Sequence, residues 1–148
     1  MLITDASFII AYFDMNDSQH TRAMLDMARI QEEGETFLVN NLVIQEVMTL
    51  HNTRYKRKTF FHHFCTAIVD GKSINMFFKM QEEKEFKTVN KMILQDKGNH
   101  LSFSDLSLII DTQSMKSGRL LTYDKDLSKF AKKIKIPVFE STEYRIKS

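Results

Sequence analysis

Short apolar, β-prone runs alternate along this chain with longer stretches whose apolar residues recur at helical spacing, and that alternation limits the fold more than any other feature. Met1–Thr4, Thr36–Val39, Ser73–Phe78, Arg119–Thr122 and Ile136–Phe139 read as strands. Between them, helices are predicted over Ala6–Phe13, His20–Glu33, the stretch capped by Asn40 or Asn41, Thr59–Ile68, Gln81–Gln95, Leu101–Met115 and Asp126–Lys132. Gly34 and Gly118 are expected to stop two of these helices. Strands separated by helices predict a three-layer α/β/α sandwich around a mostly parallel sheet. No repeat, low-complexity stretch or linker-like segment interrupts the 148 residues, which read as one domain over 1–148.

Two further features bear on where such a chain works. No segment is apolar for long enough to span a bilayer, and the N-terminus lacks a basic region while Asp5 breaks its apolar run. Cys65 is the single cysteine, with no partner for a disulfide or a thiolate metal site, and is expected to be buried. These observations predict a cytoplasmic protein without a membrane partner.

The acids carry the chemistry. Asp5 stands between Leu2-Ile3 and Phe8-Ile9-Ile10, Glu46 between Val43-Ile44 and Val47-Met48, and Asp105 directly before Leu106-Ser107-Leu108-Ile109. A lone charge in such a setting is costly. Asp5 and Asp124 fall at the carboxyl ends of predicted strands, and Glu46 and Asp105 near the starts of helices, which is where parallel sheets build their sites. Each acid also has a local reading, as a turn residue, an exposed helix residue or a first-turn partner of the helix dipole. Several carboxylates at one place would raise one another's pKa. A divalent cation relieves that repulsion, and an all-oxygen set suits Mg²⁺ or Mn²⁺. The chain has 21 Lys and Arg against 19 Asp and Glu, so placing five acids (Asp5, Glu46, Asp105, Asp124, Asp126) in one site leaves 14 outside it. The remaining surface is then basic, as a polyanionic partner requires.

Four blocks make the pattern specific: Ile3-Thr4-Asp5-Ala6-Ser7, Val43-Ile44-Gln45-Glu46-Val47, Leu101-Ser102-Phe103-Ser104-Asp105-Leu106 and Leu120-Leu121-Thr122-Tyr123-Asp124-Lys125-Asp126-Leu127. In order, spacing and context the sequence resembles the PIN-domain family, from Met1 to about Phe139, and within it VapC-like toxins. It departs at Leu127, where the family often has an aromatic residue. The resemblance implies a metal-dependent endoribonuclease that leaves a 5′-phosphate and a 3′-hydroxyl. Carried onto this chain, it implies Asp5, Glu46, Asp105 and Asp124 as the catalytic acids. Asp5 and Asp105 would be direct ligands of Mg²⁺ or Mn²⁺, and Asp124 a ligand directly or through water. Glu46 would hold the attacking water, with Asp126, Ser7 and Thr122 in support. The resemblance further implies an RNA substrate, a small antitoxin partner and a homodimer. A stand-alone PIN nuclease of RNA processing and a catalytically inactive, partner-binding PIN-like module are the alternatives within this reading. A receiver or Asp-x-Asp phosphatase fits less well, since position 7 is Ser and no Lys follows a late strand as a receiver needs.

Basic residues Arg54, Lys56, Arg57 and Lys58, with Tyr55 among them, and Lys125 near the acids, are candidate RNA contacts. A solvated basic face or an antitoxin contact accounts for the same run. His62-His63 points in two directions on a helix, which does not suit a metal pair. Phe60, Phe61, Phe64, Phe77 and Phe78 are compatible with core or with an interface.

Overall fold

The computed structural model describes residues 1–54, 62, 64, 66, 75–98 and 100–141. Among the described residues four strands, β1 (Leu2–Thr4), β2 (Phe37–Asn40), β3 (Met76–Lys79) and β4 (Arg119–Leu121), form one sheet in the order β3-β2-β1-β4. All three pairings are parallel, and Ile3 lies opposite both Leu38 and Leu120. The helices among the described residues are α1 (Ala6–Phe13), α2 (His20–Glu32), α3 (Asn41–Thr53), α4 (Glu83–Leu94), α5 (Phe103–Ser114) and α6 (Lys125–Lys133).

The period-two geometry of strands divides their apolar residues between two cores. Leu2, Phe37 and Leu121 pack on one face with Phe8, Ala11, Ala23 and Ile30 from α1 and α2. Ile3, Leu38 and Leu120 pack on the other with Val43, Val47, Leu108, Ile109, Leu127 and Ala131 from α3, α5 and α6. Strands buried on both faces read as continuous apolar runs, which is why so few residues suffice to specify them. The predicted three-layer sandwich is therefore the observed one, with a fully parallel sheet. Strand order reverses between β1 and β4, so the crevice of the fold opens at their carboxyl ends.

Element boundaries differ from the sequence reading where backbone chemistry outweighs hydrophobicity. The expected last strand, Ile136–Phe139, reduces to a single parallel bridge between Leu120 and Val138. Leu120 N donates to Pro137 O and Phe139 N to Leu120 O, both at 2.8 Å. Pro137 has no N–H with which to extend the ladder. Gly34 (φ +67°) does follow α2 in the left-handed conformation, but after α5 that role falls to Ser117 (φ 61°). Gly118 answers a different need: a Cβ there would lie 2.8 Å from Met115 Cβ and 3.1 Å from Ile3 Cδ1. Most of the predicted 59–68 helix, including Phe60, Phe61, His63 and Cys65, lies outside the described residues, as do Tyr55, Lys56, Arg57 and Lys58. Of the phenylalanines described, Phe64 is buried beside Phe13 and Phe77 is exposed. No helix among the described residues is long and apolar enough to cross a membrane.

A buried polar clamp fixes α3 against α5. Asn40, the last residue of β2, accepts from Leu42 N and Val43 N and so caps α3. Its amide nitrogen donates to Asp111 Oδ2 at 2.8 Å and to Ser107 Oγ at 2.9 Å, both on α5. Lys79, at the end of β3, donates to Asp111 Oδ1 at 2.6 Å and to Glu85 Oε1 at 2.5 Å. Burial opposes the Lys79 charge, but these two carboxylates outweigh it and hold the ammonium above its usual range. Asp111, fully buried, thereby has a donor on each oxygen. Asn40→Ala removes a cap and leaves Asp111 one donor short, a loss expected to cost about 2–4 kcal/mol in urea unfolding. Asn40→Asp keeps the cap acceptor but sets a carboxylate against Asp111, and its cost is expected to be greater at pH 8 than at pH 5. A cost below about 0.5 kcal/mol for Asn40→Ala, the range of neutral surface changes, would mean the clamp contributes nothing.

Candidate active site

Three of the four candidate acids stand at helix N-termini. Asp5 follows β1 and is the N-cap of α1. Asp124 follows β4 and caps α6, its Oδ1 accepting from Asp126 N at 2.8 Å and Leu127 N at 3.0 Å. Asp105 sits in the first turn of α5 and forms a capping box with Ser102: Ser102 N donates to Asp105 Oδ2 and Asp105 N to Ser102 Oγ. Glu46 lies in the second turn of α3, on its exposed side. The helix starts direct N–H groups and positive partial charge at the carboxyl ends of β1 and β4.

Hydroxyl groups join the strand ends across the crevice. Ser7 Oγ donates to Asp5 Oδ1 at 2.6 Å and accepts from Tyr123 N at 2.9 Å. Thr122 Oγ1 donates to Asp5 Oδ2 and accepts from Asp124 N at 3.0 Å. Phe8 N adds a third bond to Asp5, at 3.3 Å. The Asp5 carboxylate is thus fixed from both strands, yet all its donors are uncharged.

Electrostatics bring the acids together around Asp105. Burial pushes Asp5 up to about 6, with the Asp105 charge adding to the effect against its hydrogen bonds. Glu46, although on the exposed side of α3, is raised by partial desolvation of its carboxyl among its neighbours and then by Asp105. Asp105 is itself raised by burial and by Asp124. Asp105 therefore feels or is felt by each of the other three. The sequence offered Asp126 as an auxiliary acid; it is exposed on the first turn of α6, and among the described residues its side chain makes no bond to the quartet. Arg54 is the exposed C-cap residue of α3, and Lys125 is exposed at the start of α6.

Open clefts flank the acids. One, of about 410 Å³, runs between α3 and the start of α5 and includes Glu46, Leu50, Phe103 and Ser104. The other, of about 420 Å³, includes Thr122, Asp124 and Lys125. The donor set is made of hard oxygens and its charges repel, which fits Mg²⁺ or Mn²⁺. Among the described residues, no three acidic, histidine or cysteine side chains already form a closed cation cage. The capping bonds turn Asp105 Oδ2 and Asp124 Oδ1 toward their own helices and leave the opposite oxygen of each outside the cap.

Two fully buried acids escaped the sequence reading. Asp111 anchors the clamp described above, and fully buried Asp26 of α2 accepts from Tyr123 Oη at 2.6 Å and from Ser141 Oγ. The signal that singled out Asp105, a carboxylate within an apolar run, was present at Leu108-Ile109-Ile110-Asp111 and at Ala23-Met24-Leu25-Asp26.

A parallel β3-β2-β1-β4 sheet, helices on both faces and acids at the switch point define a PIN-like α/β fold. The chain is similar to the crystal structure of VapC20 from Mycobacterium tuberculosis, described as a sarcin-ricin loop cleaving toxin, with a TM-score of 0.67 over 87% of this chain and 94% of that one. At 18% identity the likeness is one of fold. No protein-family model and no curated protein sequence matches the chain.

The Asp5 shift has a defined sign. Its folded pKa of about 6 lies above the ordinary value, so between about pH 4 and pH 6 the folded state binds the extra proton. Stability contributed by protonated Asp5 is therefore present at low pH and is lost as pH rises through about 6. In EDTA, the Tm of wild type is expected to fall by several degrees between pH 5 and pH 8, and Asp5→Asn to remove much of that fall. Superimposable pH profiles for the two proteins would mean that Asp5 is not a strained buried carboxylate.

Proposed function

We propose that this protein is a Mg²⁺- or Mn²⁺-dependent endoribonuclease, the toxin of a type II toxin–antitoxin pair acting in the cytoplasm. The observation that carries the reading is Asp5: a buried carboxylate at the switch point of a PIN-like sheet, held only by neutral donors and pressed by Asp105. The fold neighbour's description as an RNA-loop cleaving toxin supports the substrate class. The four motif blocks support the residue roles.

In this mechanism Asp5 and Asp105 would hold the cation, with Asp124 as a further ligand, directly or through water. When bound, the cation orients a phosphate, lowers the pKa of a water and offsets the charge of an in-line displacement. Ser7 and Thr122 fix both oxygens of Asp5, so the ligand geometry is set before substrate arrives. Glu46 holds the attacking water and takes its proton. The raised pKa that partial desolvation and Asp105 give Glu46 suits that task. Water oxygen bonds to phosphorus as the bond to the 3′-oxygen breaks, and the 3′-oxygen leaves as an oxyanion that takes its proton from solvent water. The products are a 5′-phosphate and a 3′-hydroxyl. A homodimer and a small antitoxin that masks the site complete the proposal.

The test is a cleavage assay on labelled RNAs, the sarcin-ricin loop among them, with Mn²⁺, Mg²⁺ or EDTA. Wild type is expected to cut with metal and not with EDTA. Asp5→Asn is expected to lose at least about 10²-fold in rate, the scale of a lost electrostatic or acid–base contribution. Calorimetric titration with Mn²⁺ separates the ways this can fail. Metal binding by wild type without cutting leaves a nuclease whose RNA was not in the panel. Absence of metal binding favours a partner-binding module instead.

A further inference from the structure

The cleft beside Asp124 contains a positive platform that the acid quartet does not use. Arg22 of α2 lays its guanidinium over the Tyr123 ring, 4.4 Å from the centroid. Its Nε donates to Ser141 Oγ at 2.6 Å, and Nη1 reaches Gln19 Oε1 at 3.5 Å. Tyr123 is fixed in turn by its bond to Asp26, and Ser141 donates to the same carboxylate. A half-buried arginine is thus held in one orientation by a buried acid acting through a phenol and a hydroxyl. Across the same cleft α6 presents Lys125, Lys129 and Lys132. Lys132 pairs with Glu140 at 3.4 Å, whereas Lys125 and Lys129 make no ion pair among the described residues. Thr122 and Asp124 belong both to this cleft and to the acid site, so the two are continuous.

A row of cations with a preset guanidinium fork, open to solvent and ending at a cluster of carboxylates, is complementary to a chain of phosphates. We infer that the cleft formed by Arg22, Tyr123, Lys125 and Lys129 is a binding subsite for the RNA backbone next to the scissile phosphate. Resting on the ribonuclease reading above, it gives that reading a substrate path. Arg22 engages one phosphate through its outward nitrogens, and Lys125 and Lys129 neutralise the next. The strand then enters the site past Asp124. Tyr123 acts as a positioning residue, because it touches the guanidinium and not the RNA.

The experiment is binding of a short fluorescein-labelled single-stranded RNA by anisotropy, in EDTA to prevent cleavage, over a salt series. Arg22→Gln and the pair Lys125→Gln/Lys129→Gln are compared with wild type and with Lys87→Gln, an exposed change on α4. Each cleft variant is expected to weaken binding roughly ten-fold, and the lysine pair to flatten the log–log salt slope by about 1.4, at ~0.7 for each phosphate no longer neutralised. Lys87→Gln is expected to match wild type. If Arg22→Gln fails to fold, the exposed lysine pair carries the test alone. Wild-type affinity and slope in the lysine pair would overturn the subsite while leaving an Asp5-dependent nuclease intact. An absence of RNA binding by wild type at every salt concentration would overturn the subsite, and the metal-dependent cleavage assay above decides the ribonuclease reading independently.

Discussion

The Asp5 carboxylate is where the two strands that define the crevice meet. Thr122 reaches it from the end of β4, and Ser7 reaches it from α1 while accepting a bond from Tyr123. Parallel strands place their ends side by side, but nothing in a β-ladder fixes the chain once it leaves the sheet. Here the carboxylate does so, by giving both departing segments a shared acceptor. The fold therefore depends on a buried charge that is itself unfavourable.

Helix N-termini reduce that cost without removing it. An N-terminal turn stabilises an anion by about 0.3–1 kcal/mol, and more when the site is partly buried. A rise of two pKa units corresponds to about 2.7 kcal/mol in the other direction. For Asp5, pushed up to about 6, the dipole loses, and Glu46 and Asp105 are shifted in the same direction. A site with positive helix ends and still-raised carboxyl groups retains an unmet demand for positive charge. The cation proposed above meets that demand.

Much of this was legible in the sequence because burial on both faces leaves little ambiguity. A run such as Leu2-Ile3-Thr4 has few alternatives once it must lie inside, and α1 follows over Ala6–Phe13 as read. The placement of Asp5 and Asp124 at strand ends followed from strand–helix alternation alone. The bridge at Val138 was harder to foresee, because hydrophobicity registers a strand while Pro137 limits its hydrogen bonding. The role of Gly118 depended on a close approach to Met115 and Ile3, which is a tertiary fact. The Asn40 clamp and the Arg22 platform were hidden for a related reason. Each joins residues far apart in sequence, and each residue alone reads as an ordinary cap or surface group.

The buried aspartates Asp111, Asp26 and Asp5 differ in what matches their charge, and that difference supports the functional role proposed for Asp5. Asp111 has the Lys79 ammonium on one oxygen and the Asn40 amide on the other, so its charge is matched inside the protein. Asp26 is reached by Tyr123 and Ser141, which both also touch the Arg22 guanidinium. Asp5 is as enclosed, yet its donors are two hydroxyls and a backbone N–H, and the nearest charge acting on it is another acid. Replacing one buried ion pair by apolar groups is often tolerated, so Asp111 can be understood as a matter of architecture. A buried carboxylate with satisfied hydrogen bonds and unmatched charge has no such account. Its geometry is complete and its electrostatics are not, and that combination is what the proposed cation would resolve.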